Sequence, residues 1–138
     1  VLFGTNQNEL IEAAGGLKEG CEKVISGGPM MGFAMYTTDT PITKTSSSIL
    51  CMSKDEVSAC EPTACINCGR CVDACPSRII PSRLADFAER HDEEAFLKFN
   101  GLECVECGSC SYVCPAKRQL KQAIGSMRKT ALANKKKK

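Results

Sequence analysis

The chemistry in this sequence lies in its cysteine spacing. The runs Cys65-Ile-Asn-Cys68-Gly-Arg-Cys71-Val-Asp-Ala-Cys75-Pro76 and Cys104-Val-Glu-Cys107-Gly-Ser-Cys110-Ser-Tyr-Val-Cys114-Pro115 share the form C-x2-C-x2-C-x3-C-P. That spacing suits a [4Fe–4S] cubane, which takes one thiolate at each of its four irons. Three cysteines three residues apart on a tightly wound loop can cap three corners. The fourth, beside a proline, ligates the other cluster in two-cluster proteins. Cys65, Cys68, Cys71 and Cys114 would then hold one cluster, and Cys104, Cys107, Cys110 and Cys75 the other. Such a pair of sites passes single electrons.

Other thiol chemistries fit less well. A structural zinc site takes four ligands in separated pairs, often with histidine, and His91 is the one histidine in the chain. A disulfide framework belongs to small secreted domains with an even cysteine number; here there are eleven, with no apolar signal sequence ahead of them. Haem attachment would need C-x-x-C-H, which is absent. Cys21, Cys51 and Cys60 stand outside the runs and read as buried or incidental thiols, with Cys60 a possible substitute ligand.

At 138 residues, with 5% aromatic residues and no tryptophan, the chain can bury only a modest apolar core. Metal ligation would then supply part of the folding energy, in a reducing compartment that keeps the thiols free. The net charge of +2 says little about partners. No apolar stretch approaches the roughly 20 residues that span a bilayer. The tail Lys135-Lys136-Lys137-Lys138 is either a solvated end or an attraction to anionic lipid, worth about 1 kcal/mol per lysine near the surface. Elsewhere the basic residues are scattered, and Phe and Tyr are the only aromatic residues for base stacking, which argues against a nucleic-acid partner.

Residues 1–52 read as a small α/β segment that opens abruptly on Val1-Leu2-Phe3-Gly4, as a fragment of a longer protein would. Asn6-Gln7-Asn8-Glu9 has the form of a capping box before a short helix that Gly15-Gly16 stops. Glu22–Ser26, Ile42–Thr45 and Ser48–Cys51 read as strands. Gly27-Gly28-Pro29-Met30-Met31-Gly32 lacks the G-x-G-x-x-G spacing of a phosphate cradle and reads as a tight turn, with Met30 and Met31 as packing residues.

Residues 53–118 read as a helical two-cluster domain, and 119–138 as a C-terminal helix with its lysine-rich tail. Ser53-Lys54-Asp55-Glu56 opens a short helix toward Cys65. Between the runs, Leu84, Phe87 and Ala88 mark a helix over Ser82–Arg90, and Ala95, Phe96 and Phe99 mark another over Asp92–Phe99. Asn100-Gly101 ends that second helix, and His91 between them reads as solvated surface. A last helix from Ala116 to about Ala133 places Leu120, Ile124, Met127 and Ala131 on one stripe. The cluster loops are thus linked by helices, which favours an α-helical dicluster fold over a compact β-rich one. Arg70 and Lys117-Arg118 put positive charge beside the loops, either raising cluster potentials or serving as solubility charge.

Taken with the two runs, Leu10-Ile-Glu-Ala-Ala-Gly-Gly16 and Ile25-Ser-Gly-Gly-Pro-Met-Met-Gly32 resemble the C subunit of the Rnf electron-transport complex over its C-terminal part. The cysteine runs are shared by many redox proteins, so the Gly-Gly-Pro-Met-Met-Gly neighbourhood carries the likeness. The resemblance implies an α+β chain: a partial β-grasp segment of the soluble-ligand-binding type, then a ferredoxin-like dicluster domain. It implies two [4Fe–4S] clusters on the eight motif cysteines, and FMN and NAD(H) bound in a preceding domain that is missing here. It further implies other subunits of a membrane redox complex as partners, peripheral membrane contact at the cytoplasmic face, and ferredoxin:NAD oxidoreduction coupled to sodium or proton movement. A soluble flavoprotein reductase of cobalamin-reductase type, or a binding module merely stabilised by clusters, are the alternatives.

Overall fold

The structure, a computed structural model, describes residues 1–56 and 59–137. The chain divides into two compact units, Val1–Cys60 and Glu61–Lys138.

In the first unit, α1 (Gln7–Ala13) starts at Asn6, whose side-chain oxygen accepts the Asn8 N–H at 2.9 Å. It ends where Gly15 and Gly16 enter positive φ and the Gly16 N–H reaches the Ile11 carbonyl at 2.8 Å. A three-stranded antiparallel sheet follows among the described residues. Its central strand β1 (Lys23–Ser26) lies between β2 (Phe33–Ala34) and β3 (Ile49–Met52), with Ile25 opposite both Ala34 and Leu50. Ile11, Val24, Ile25 and Ile42 form the apolar interior of this unit.

The expected strands at 22–26 and 48–51 thus correspond to β1, which starts one residue later, and β3, displaced by one residue. β2 was not foreseen, because two residues carry no alternating pattern to read. The link from β1 to β2 is the glycine-rich turn, and Gly32 cannot be replaced without a clash: a Cβ there would meet the Gly28 oxygen at 2.5 Å and the Ser26 oxygen at 2.8 Å. The turn lifts Met30 and Met31 off the sheet to 47% and 63% exposure, so they are not packing residues. The expected strand Ile42–Thr45 is also overturned. Thr43–Ser46 is a local turn, in which the Thr43 N–H donates to Ser46 Oγ at 3.1 Å and the Ser46 N–H to the Thr43 carbonyl at 3.0 Å. Short hydroxyl side chains satisfied the backbone locally and outcompeted the sheet. The helix expected from Ser53 runs into residues 57 and 58, outside the described residues.

The second unit is helical. One-turn helices α2 (Arg70–Asp73) and α5 (Ser109–Tyr112) sit inside the cysteine runs. Between them come α3 (Pro81–Glu89), α4 (Glu93–Lys98) and a 3-10 turn over Gly101–Glu103; α6 (Leu120–Lys137) closes the chain. Pro81 occupies the first turn of α3, where its missing N–H costs nothing. Asp92 caps α4 by accepting the Ala95 N–H at 3.0 Å. Asn100, at φ 59°, ends that helix as anticipated, and exposed His91 joins α3 to α4 at φ 57°. α6 begins at Leu120 rather than Ala116 because Lys117 adopts φ 53° and breaks the helical path; it continues into the lysine run, since lysine is a good helix former.

α3 and α6 pack together around Leu84, Ala85, Ala88, Leu120, Ile124 and Met127, with Phe96 of α4 completing the core. The predicted stripe Leu120, Ile124, Met127 and Ala131 is buried throughout. Phe87 and Phe99 meet at the edge with tilted rings, their centroids 5.0 Å apart and their planes at 53°. Phe96 is fully buried and presses on Gly101, where any Cβ would enter its ring. Phe96→Ala is therefore expected to cost about 3–5 kcal/mol of unfolding free energy, measured by urea denaturation under anaerobic conditions. A loss below about 1 kcal/mol would show that this ring is not part of the core.

Candidate metal centres

The two cysteine runs fold alike. Asn67 and Glu106 take φ 53° and 55°, and Gly69 and Gly108 take φ 80° and 84°, so each loop curls left-handedly twice before its one-turn helix. Asparagine and glycine tolerate that region, whereas Glu106 bears the full strain of an L-residue with a Cβ. The third cysteine of each run lies in the one-turn helix, and the fourth follows it. Each copy then closes with a turn: the Arg78 N–H donates to the Cys75 carbonyl at 3.1 Å, and the Lys117 N–H to the Cys114 carbonyl at 3.2 Å. Arg78 and Lys117, at φ 51° and 53°, redirect the chain into α3 and α6. Each fourth cysteine is thereby carried away from its own loop.

One cavity in this unit is lined by Cys65, Cys68, Cys71 and Cys114. Another is lined by Cys104, Cys107, Cys110 and Cys75. Each gathers three cysteines of one run and the fourth of the other. The wall of the first is completed by Ile66, Ala116 and Leu120, and that of the second by Ile79, Pro81 and Ile124. No group of His, Cys, Asp or Glu among the described residues converges on a single-ion site. Four soft sulfur donors around an apolar hollow fit a cluster that spreads its ligands over four irons.

The two sulfur sets differ in surroundings. Cys68 is exposed and Cys110 buried; the other six are half-buried. Burial raises the Cys104 thiol above its ordinary value and pushes Cys110 up to about 11. Hydrogen bonding from Ser109 lowers Cys107. Ser109 Oγ lies 3.5 Å from Cys107 Sγ, and the Glu106 N–H donates to Cys104 Sγ at 3.4 Å. Because iron binds thiolates, filling the second cavity would release protons from thiols that burial holds neutral.

Two of the charges beside the loops are tied up. Arg118, which also lines the first cavity, donates to Asp86 at 2.8 Å and to Glu89 at 3.0 Å. Burial works against its charge, but these carboxylates outweigh burial and raise the guanidinium above its ordinary range. Its positive charge is thus paired across to α3. At the second cavity, Arg128 donates to Glu106 at 3.2 Å and to the Leu102 carbonyl at 3.2 Å. Arg70 and Lys117 are exposed.

A family model for a 4Fe-4S dicluster domain matches residues 64–118. The chain is 50% identical over 125 residues to the C subunit of the proton-translocating ferredoxin:NAD(+) oxidoreductase complex of Clostridium ljungdahlii. It is 40% identical over 137 residues to the C subunit of the Na(+)-translocating ferredoxin:NAD(+) oxidoreductase complex of Acetobacterium woodii. It is 46% identical over 124 residues to the C subunit of the ion-translocating oxidoreductase complex of Methanosarcina acetivorans. These alignments cover 90%, 99% and 90% of this chain. The chain belongs to this C-subunit family. It spans 27%, 31% and 28% of the length of these three relatives.

In this member of the C-subunit family, the cysteines outside the runs lie in the first unit and line neither cavity. Cys21, half-buried before β1, neighbours exposed Cys51 of β3, and exposed Cys60 donates to the Glu56 carbonyl at 3.3 Å. The sequence pattern found all eight cavity cysteines, but it missed Ser109 and the Glu106–Arg128 pair. A serine two residues after Cys107, and an acid directly before it, were the available signals.

A Cβ on Gly69 would meet no atom within 4 Å, so the cost of replacing it is backbone strain alone. Gly69→Ala should lower the stability of the second unit by about 1–2 kcal/mol, the cost of a left-handed L-residue. Gly28→Ala, at ordinary φ in open space, should change the stability of the first unit by less than about 0.5 kcal/mol. Anaerobic urea titrations of the two variants test this; equal effects would refute a strain-based role for Gly69.

Proposed function

We propose that this chain passes single electrons through two [4Fe–4S] clusters, one held by Cys65, Cys68, Cys71 and Cys114, the other by Cys104, Cys107, Cys110 and Cys75. The observation that carries this reading is the crossed lining of the two cavities. When bound, a cluster supplies reversible one-electron chemistry. The protein's part is to hold eight thiolates in place and keep water out. α3 and α6 brace the two cavities, Ile79 and Ile124 dry the second, and Ser109 Oγ lies 3.5 Å from the Cys107 sulfur.

Within the C-subunit family, the chain serves as the electron-transfer segment of an ion-translocating ferredoxin:NAD oxidoreductase. Electrons run between a flavin and nicotinamide site elsewhere in the subunit, binding FMN and NAD(H), and partner redox subunits. The relatives' names supply sodium or proton movement as the coupled process. The first unit is read as part of a soluble-ligand-binding β-grasp domain, supported by its small antiparallel sheet and the resemblance of residues 10–32. No helix among the described residues is long and apolar enough to cross a membrane. Peripheral attachment at the cytoplasmic face, through partner subunits, suits that.

Anaerobically reconstituted chain should contain about eight irons and eight acid-labile sulfides. Stoichiometric zinc without charge-transfer absorption would end the cluster reading. Chelating or oxidising the iron away should also melt most of the second unit's helix, seen by far-UV circular dichroism, because ligation is here part of folding.

Crossed ligation has its own test. Cys75→Ser should perturb the same EPR signal of the reduced protein as Cys107→Ser, and Cys114→Ser the same signal as Cys68→Ser. Serine is the poorer iron ligand, so each variant should alter one cluster and spare the other. If Cys75→Ser and Cys68→Ser changed one common signal, the ligation would be local and these ligand sets wrong.

A further inference from the structure

The second cysteine loop carries a strain that the first avoids. Positions 39 apart correspond between the copies: Cys65 with Cys104, Asn67 with Glu106, and Pro81 at the start of α3 with Leu120 at the start of α6. Asn67 and Glu106 hold the same left-handed turn, at φ 53° and 55°. Asparagine enters that region readily, whereas glutamate stays there only where its surroundings hold it.

The hold comes from α6. Arg128 Nη1 donates to Glu106 Oε1 at 3.2 Å, and its Nε donates to the Leu102 carbonyl at 3.2 Å. One guanidinium thus grips the chain on both sides of Cys104. Gly125, nearly one turn earlier on α6, makes room for this: a Cβ there would come within 3.0 Å of Glu106 Oε2. Glycine inside a helix is unfavourable by itself, so its use here is the space it leaves. The Arg128 and Glu106 side chains are 31% and 24% exposed, too sheltered for an ordinary surface pair. In the first copy the matching positions are Asp86 and Glu89, and both pair with Arg118 instead.

The clamped segment reaches the second cavity directly. Glu106 lines it beside Cys104 and Cys107, and the Glu106 N–H donates to Cys104 Sγ at 3.4 Å. Relaxing the turn at 106 would move this donor and its sulfur apart. We propose that Arg128 is a positioning residue for the second cluster site: it holds Glu106 in its strained turn and neutralises a carboxylate at the cavity wall. The proposal rests on the two-cluster reading above. Two consequences follow from one guanidinium. By geometry, the clamp fixes where the Cys104 sulfur meets iron. By charge, an unpaired carboxylate at the wall would disfavour the more negative, reduced form and lower the potential of that site alone.

The test uses the full reconstituted chain, with iron and sulfide measured first and the second-site EPR signal assigned from Cys107→Ser. A native chain without clusters would overturn the two-cluster reading itself. In a loaded chain, Arg128→Gln should lower the midpoint potential of the second site in an EPR-monitored redox titration and leave the first unmoved. Iron loss from the second site to a chelator should become about tenfold faster, as for other residues that orient metal ligands. Glu106→Asn removes the carboxylate, relieves the strain and leaves Arg128 charged, so it should raise the same potential. The double variant Arg128→Gln, Glu106→Asn should return both potential and rate to native values, a rescue that a merely structural arginine would not show. Lys129→Gln, at the next position on α6, should change neither. If Arg128→Gln holds no cluster at all, Glu106→Asn decides: a raised second-site potential supports the clamp, and an unchanged one refutes it. Unmoved potentials in both single variants, equal shifts at the two sites, or no rescue in the double variant would overturn the proposal and leave the two-cluster reading standing.

Discussion

The second unit depends on one constraint: the fourth cysteine of each run must arrive in the cavity of the other. A loop of three closely spaced cysteines can surround three sides of a hollow by local winding alone. The fourth side has to come from elsewhere in the chain. Here Cys114 closes the hollow of the first loop and Cys75 that of the second, so neither cavity can form without both runs. The intervening helices are the means of that exchange. α3 and α4 carry the chain out and back, and α6 lies against α3 to lock the return.

The same constraint explains the small apolar core. Leu84, Phe96, Leu120 and Ile124 are fully buried or nearly so, and Cys71, Cys75, Cys104 and Cys114 pack against that cluster as if they were part of it. The sulfur side chains therefore serve both the core and the cavities. In a unit with so few large apolar residues, filling the hollows with clusters would couple their insertion to folding. The six non-glycine residues at positive φ all lie in this unit among the described residues, four of them in the turns around the cysteine runs. Strain collects where the chain has to bend around the sulfurs, and it is sustained because the surrounding helices over-determine those turns.

Duplication supplies the frame, and departures from it supply the difference between the sites. Glu106 pairs with Arg128 at one loop, while Asp86 and Glu89 pair with Arg118 beside the other. Cys68 is exposed, whereas its counterpart Cys107 is half-buried.

By itself, the sequence determined what depends on local spacing. The C-x2-C-x2-C-x3-C-P runs announced the eight cavity cysteines, the period of Leu84 to Ala88 and of Leu120 to Ala131 announced α3 and α6, and Asn6 announced the start of α1. These signals survive because a one-turn loop, a buried stripe and a capping side chain are each decided within a few residues. Tertiary structure decided the rest. Thr43–Ser46 turned because its hydroxyls bonded locally, β2 exists only because a glycine turn brings two residues beside β1, and Met30 and Met31 are exposed because that turn leaves the sheet. The pairing of Arg118 with Asp86 and of Arg128 with Glu106 joins residues 32 and 22 positions apart. No local pattern encodes such a choice, because each arginine finds its acid only after the helices have packed.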